Sequence, residues 1–354
     1  MGFCGLFFGM GGKDHGIRRA RHPWIHDLRF WHFRAGDDFN HMAAITRVSA
    51  EADDTERADT AEELAKWFAY LTNCDPYTDM IFAEVDPGDG GEPEVIGYSR
   101  GTWRIEASGE YRYMFFGRIL PRWRRKGIGH VMLGWMEGRL REIAAGHPTQ
   151  VEKYFLSVAA QGETGTAAML EKTGYQPVRY GFEMVRPDLE NIPSYPLPEG
   201  FEVRKVLPEH YRAIWDADTE ANRDHWGFIE PSDEDYQAWL VDTTTFQPDL
   251  WQVAWDIATD QVAGQVKTYI DHEQNKLYDR KRGWTEGISV QRPFRRRGLA
   301  RALIARSLRV QKQAGMTESA LSVDSENLSG ATKVYEDCGF RVVKRMTVYR
   351  KPLM

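Results

Sequence analysis

Apolar residues recur at three- and four-residue spacing over Leu299, Leu303, Ile304 and Leu308, which is the spacing of a helix with one buried stripe. A similar stripe runs through residues 128–144, and both segments open directly after a basic, glycine-bearing turn. Upstream of each turn stands a strand-like apolar run, residues 113–120 (YMFFGRIL) and 287–290 (GISV), with Pro121 or Pro293 between run and turn. Downstream, each helix is followed by a strand (154–158; 320–323), a short helix ending in Gly174-Tyr175 or Gly339-Phe340, and a last β-rich stretch. Ahead of the runs the pattern also repeats, as a strand (28–33; 201–206), one or two helices (40–71; 211–241) and a hairpin (80–105; 251–271). A repeat on this scale predicts two copies of one mixed α/β unit, each a mostly antiparallel sheet flanked by helices.

Between the copies, residues 187–200 (PDLENIPSYPLPEG) are rich in proline, which neither continues a helix nor serves a central strand. The expected organisation is a leader at 1–25, a first domain at 26–186, a linker at 187–200 and a second domain at 201–354. The length of 354 residues agrees, because one hydrophobic core rarely grows past about 250 to 300 residues. On length alone, a single large barrel competes.

A net charge of -6, with 42% hydrophobic and 28% charged residues, describes an ordinary globular protein and excludes wholesale disorder or a membrane bundle. It also argues against a dedicated nucleic-acid binder, which needs a basic face. Cys4, Cys74 and Cys338 are odd in number and far apart, so neither a disulfide framework nor a zinc site is expected and a reducing cytoplasm is the default. His22, His26 and His32 have no carboxylate or cysteine at ligand spacing, so no metal is expected either. The apolar opening 2–12 lacks a preceding basic residue and is too short to span a bilayer, which reads as a loose leader and not a targeting signal.

The chemistry concentrates in the two turns, Arg124-Arg125-Lys126-Gly127-Ile128-Gly129 and Arg295-Arg296-Arg297-Gly298-Leu299-Ala300, 171 residues apart. A strand, such a turn and then a helix make a holder for a diphosphate. Glycine permits close backbone approach, and the exposed N–H groups with the helix dipole favour an anion. Neither copy has the Gly-Lys-Ser/Thr of a phosphate-binding P-loop or a complete GxGxxG. A solvated charge run is the plain alternative for either turn alone.

With these motifs the chain resembles the GNAT superfamily of acyl-CoA-dependent N-acyltransferases, in the tandem arrangement similar to the mycothiol synthase type. In the second copy the likeness continues through LSVDSENLSGATKVYEDCGF, residues 321–340. The resemblance implies acetyl-CoA as cofactor and a primary amine as acceptor. It implies that Arg295, Arg296, Arg297, Gly298, Leu299 and Ala300 cradle the diphosphate, that Ile288 and Val290 pair with the pantetheine, and that Asn327 touches the cofactor arm. Tyr335 would give a proton to the leaving thiolate, which a phenol can supply. Glu286 would take a proton from the acceptor, through water; other family members place the base two residues earlier, where this chain has Trp284. From the residues alone, Tyr335 also fits a helix core stripe with Ala331, Val334 and Cys338, Asn327 an N-cap, and Glu286 an ordinary strand position.

The first copy keeps the anion turn (Arg124, Arg125, Lys126, Gly127, Gly129) but has Phe115 opposite Glu286, Leu170 opposite Tyr335 and Gly162 opposite Asn327. It is expected to be structural, or to bind acyl-CoA without turnover. An acidic, aromatic stretch around Asp216 to Asp235 is a candidate wall for a cationic amine, or a solvated helix face. The favoured expectation is N-acetylation of a small amine by the second domain. The alternatives are a non-catalytic acyl-CoA-binding protein and a protein (lysine or N-terminal) acetyltransferase.

Overall fold

A computed structural model describes residues 18–19, 28–57, 59–86, 91–326 and 330–353; most of the leader, His22, His26 and Asn327 lie outside the described residues. In the first half, β1 (Arg18–Arg19) and β2 (Leu28–Trp31) precede α1 (Asp38–Ala52), α2 (Ala61–Phe68) and α3 (Pro76–Asp79). Then come β3 (Met80–Val85), β4 (Glu94–Ile105), β5 (Tyr111–Ile119), α4 (Ile128–Ala145), β6 (Lys153–Ala160), α5 (Thr164–Lys172) and β7 (Gln176–Arg186). The second half repeats the sequence with β8 (Phe201–Arg204), α6 (Tyr211–Asn222), α7 (Asp233–Val241), β9 (Gln252–Asp256) and β10 (Gln261–Tyr269). It continues through α8 (His272–Leu277), β11 (Arg282–Val290), α9 (Leu299–Gln313), β12 (Glu318–Asp324), α10 (Ala331–Asp337) and β13 (Arg341–Pro352).

All strands among the described residues join one 13-stranded sheet in the order β1-β2-β3-β4-β5-β6-β13-β7-β12-β11-β10-β9-β8. Each half ends in a single strand, and the two end strands cross over. β13 lies between β6 and β7, antiparallel to both, with Val348 opposite Val158 and Met346 opposite Gly181. β7 in turn runs antiparallel to β12. The cores are exchanged accordingly: Met184 of β7 packs with Leu303, Leu308 and Leu321 of the second half, and Tyr349 of β13 packs with Leu140 and Phe155 of the first. Burying these side chains in the other half's core ties the halves together by the hydrophobic effect as well as by the strand ladder.

The helices behind the two basic turns bury the stripes expected of them, Leu299, Leu303, Ile304 and Leu308 in α9 and Met132, Leu133, Met136 and Leu140 in α4. Two short helices, α3 and α8, were not apparent in the periodicity. Each is set by an aspartate N-cap, Asp75 accepting from Tyr77 N–H and Asp271 from Gln274 N–H. No helix among the described residues is long and apolar enough to cross a membrane.

Candidate active site

Among the described residues the only parallel pairings are β5 with β6 and β11 with β12, and both are short. β11 and β12 pair at Arg282–Glu318, Gly283–Ser319 and Trp284–Ala320, and then separate. A hydroxyl cluster pins the point of separation: Thr285 Oγ1 lies 2.8 Å from Ser319 Oγ, and Gln311 Nε2 donates to Thr285 Oγ1 at 2.7 Å. Beyond it, the β12-facing edge of residues 285–290 has no strand partner among the described residues.

Along β11 the side-chain phase changes. Gly283 and Thr285 face α9, where Gln311 lies within contact of one and hydrogen-bonds the other. Strict alternation would send Ile288 and Val290 to the opposite face. Instead both pack with the α9 core, because a bulge opposite Gln265 and Lys267 inserts one residue at Gly287. Gly287 has φ +55, and a Cβ there would lie 2.3 Å from Lys267 Cε, so the bulge requires glycine. The result is that Glu286 faces α6 while Ile288 and Val290 line a cavity on the other side. The paired strands of the first half, β4 and β5, run in unbroken register, and Phe115 accordingly stays in the core.

That cavity, about 640 Å³, brings together Ile288, Val290, Arg296, Gly298, Ala300 and Tyr335, with Arg295 and Leu299 also on its wall. Its turn carries two left-handed residues, Arg296 at φ 62 and Gly298 at φ 87, and the first-half turn matches it with Arg125 at φ 61 and Gly127 at φ 87. Successive backbone N–H groups in such a turn make an anion-binding concavity. The first arginine of each turn has its side chain engaged by the protein, which leaves the backbone N–H groups as the turn's anion donors. Arg295 donates to Val290 C=O, Ala221 C=O and Asp224, and Arg124 donates to Ile119 C=O and Asp53. Each of these arginines ties the strand end to the first helix of its own half. Arg297 lies over the Phe201 ring, and Lys126 over the Trp123 ring. Asp53 escaped the sequence reading and Asp224 was read only as part of the acidic stretch, although each stands 71 residues before its arginine, a spacing that would have revealed both ties.

Tyr335 is 6% exposed, with no hydrogen-bond partner for its hydroxyl among the described residues. Burial and the nearby Glu286 carboxylate raise its phenol well above the ordinary value. Glu286 accepts the backbone N–H of Ser322 at 2.7 Å, which spans the gap between β11 and β12. Burial pushes its carboxyl up to about 7, aided by the Glu183 carboxylate and opposed by Ser322. Lys267, directly opposite in register, gives its charge to Asp218 at 2.6 Å. Burial works against ionisation of Asp218, but Lys267 holds its carboxyl below the usual range.

The first half has a corresponding cavity of about 550 Å³ with Arg124, Arg125, Gly127 and Gly129 on its wall. There the gap between β5 and β6 is bridged. Ser157 donates to Phe115 C=O at 3.0 Å, and Arg118 and Glu163, both buried, pair at 3.0 Å. The phenols of Tyr113 and Tyr154 are committed to His147 and Glu106. Much of the acidic stretch of α6 and α7 is paired: Asp216 and Asp233 share Arg212, Glu220 pairs with Arg223, and Asp235 with Arg104. His32 binds Met80 C=O through Nδ1, and no metal-ligating group of three occurs among the described residues.

Residues 209–340 match the Acetyltransferase (GNAT) family. A curated relative, GCN5-related N-acetyltransferase 4, chloroplastic, of Arabidopsis thaliana, is 37% identical over 83 residues; the match spans 22% of this chain and 28% of that protein. Among solved structures, a GCN5-related N-acetyltransferase from Sphaerobacter thermophilus superposes with a TM-score of 0.70 at 24% identity, covering 93% of this chain and 96% of that one. A tandem GNAT protein from the clavulanic acid biosynthesis pathway gives 0.63 at 14% identity, covering 92% and 98%.

Proposed function

We propose, from the chain's membership of the acetyltransferase (GNAT) family through residues 209–340, that it transfers an acetyl group from acetyl-CoA to a primary amine of a small molecule, by direct attack in the second half. The observation that carries this reading is the cavity that gathers Ile288, Val290, the turn at Arg296 and Gly298, and Tyr335 beside the edge where β11 parts from β12, with the Glu286 carboxylate near enough to act on the Tyr335 phenol. The left-handed turn at Arg296 and Gly298 fits the diphosphate, and the unpaired edge of residues 285–290 fits an extended amide-bearing arm.

Acetyl-CoA supplies the acetyl group as a thioester. Glu286 accepts the proton that the acceptor ammonium must lose before its nitrogen can attack. The new C–N bond forms as the C–S bond breaks, Tyr335 gives its hydroxyl proton to the departing sulfur, and the second proton that the new amide nitrogen sheds restores the phenol. A carboxyl near 7 is well matched to the first step, because it is substantially ionised at neutral pH yet still basic.

In this reading residues 201–354 carry the chemistry and residues 26–186 do not. The Arg118–Glu163 pair occupies the gap where an acyl arm would enter the first half, and Phe115 and Leu170 are core residues. The test is calorimetric titration with acetyl-CoA, comparing wild type, Gly298→Glu and Gly127→Glu. Loss of binding only with Gly298→Glu supports the reading, and absence of binding by the wild type sinks it.

A further inference from the structure

The face of the sheet that carries Glu286 extends past the boundary between the halves. Ser322, whose N–H holds Glu286, stands directly opposite Glu183 of β7. Glu183 points away from the α9 core, since its neighbour Met184 is buried there. Its side chain therefore shares the Glu286 face. Its cation is largely taken. Arg282 donates to Glu318 at 2.7 Å and to Glu56 at 2.8 Å, and reaches Glu183 only at 3.4 Å. Arg280 and Lys344 also go to Glu56.

We propose that Glu183, supplied by the last strand of the first half, is a positioning residue for the second half's active site. Its carboxylate stands across Ser322 from Glu286, so a cationic acceptor meets two carboxylates, one from each half. This rests on the reading of Glu286 as the base. The groups on or near this face are Lys267 and Tyr269 of β10, Asp218 of α6, Arg282 and Trp284 of β11, Glu318 of β12, Tyr335 of α10, Glu56 of the first half and Lys344 of β13. Lys267 is committed to Asp218, and Arg282 and Lys344 are committed to Glu56 and Glu318. Glu183 is the charged group that acts on Glu286, and Glu183 is itself raised, by burial first and then by Glu56. A stacked pair, Tyr269 and Trp284 with ring centroids 5.9 Å apart, stands beside the two carboxylates and suits the alkyl part of an amine.

The test is a carbon-detected titration of the glutamate carboxyls in the full chain, with Glu286 assigned by the signal missing from Glu286→Gln. In Glu183→Gln the Glu286 midpoint is expected to fall by about half a unit, as removal of a nearby like charge requires, and in Glu183→Asp to stay closer to wild type. Adding 1,5-diaminopentane, as a probe cation, should lower the Glu286 midpoint in wild type and do so less in Glu183→Gln. An unchanged midpoint in folded Glu183→Gln, or no response of the wild type to the diamine, overturns the proposal. If Glu286→Gln keeps wild-type turnover, the assignment of the base falls instead. A merely structural role for Glu183 would lower the melting temperature and leave the midpoint where it was.

Discussion

The Ser322 N–H and the Glu286 carboxylate, 2.7 Å apart, connect two strands at the place where their own ladder has ended. The bond keeps the carboxylate at the mouth of the opening. It also opposes the effect of burial on the Glu286 proton, which leaves the group at about 7.

The pH dependence follows with a definite sign. Glu286 must be ionised to act, so kcat/KM should climb as pH rises through about 7 and level off above it. Glu286→Gln should lose the climb and about a hundredfold or more in rate. Stability moves the other way. A carboxyl raised in the folded state contributes stability that is full below the ordinary carboxyl range and is lost as pH rises through about 7. Glu286→Gln should therefore melt higher than wild type at pH 8 and lose that advantage toward pH 5, as thermal scans across the range would reveal.

Tyr335→Phe separates chemistry from packing. The ring is buried in the core, but the hydroxyl has no described partner, so stability should change by less than about 1 kcal/mol. Turnover should drop by about a hundredfold, with acetyl-CoA binding retained. Equal turnover of wild type and variant would remove Tyr335 from the mechanism.

Gly298 and Gly287 are both left-handed but differ in what surrounds them. A Cβ at Gly298 meets nothing within 4 Å, whereas at Gly287 it meets Lys267 at 2.3 Å. Gly298→Ala should cost about 1 kcal/mol from backbone conformation alone and weaken acetyl-CoA binding about tenfold as the turn relaxes. Gly287→Ala should cost more, because Lys267 is held by Asp218. Denaturant unfolding and calorimetry on the two variants test the order.

Much of this was legible in the sequence because it is local. Helical stripes, the basic turns and the positive-φ glycine at each turn depend on neighbours in the chain. The phase change at Gly287 was not legible, since it depends on a partner strand pulling one residue out of register. Nor was the exchange of β7 and β13, since strand pairing over such separations leaves no periodic trace in either segment. The Asp53–Arg124 and Asp224–Arg295 ties were visible in principle, as one spacing used twice. The pairing of the α6 and α7 acids was legible only in part: Arg212 and Arg223 lie in the same stretch, whereas Arg104 and Lys267 come from other strands.

Removing residues 341–354 should unfold the first half and not merely trim the second. It deletes Tyr349 from the first core and bares the edges of β6 and β7, which are ready templates for aggregation. Size-exclusion chromatography and circular dichroism of the truncated chain would test this; a folded monomer would contradict it.

The position of β13 also sets an order of events at the ribosome. Domains usually fold as units as they emerge, N-terminal first, at about 5–20 residues per second. Here the first half emerges before the second but has to wait, with β6 lacking its neighbour, until β13 has been translated and threaded beside it. The half made earlier is thus completed only after the half made later, and its maturation is timed by the synthesis of β13.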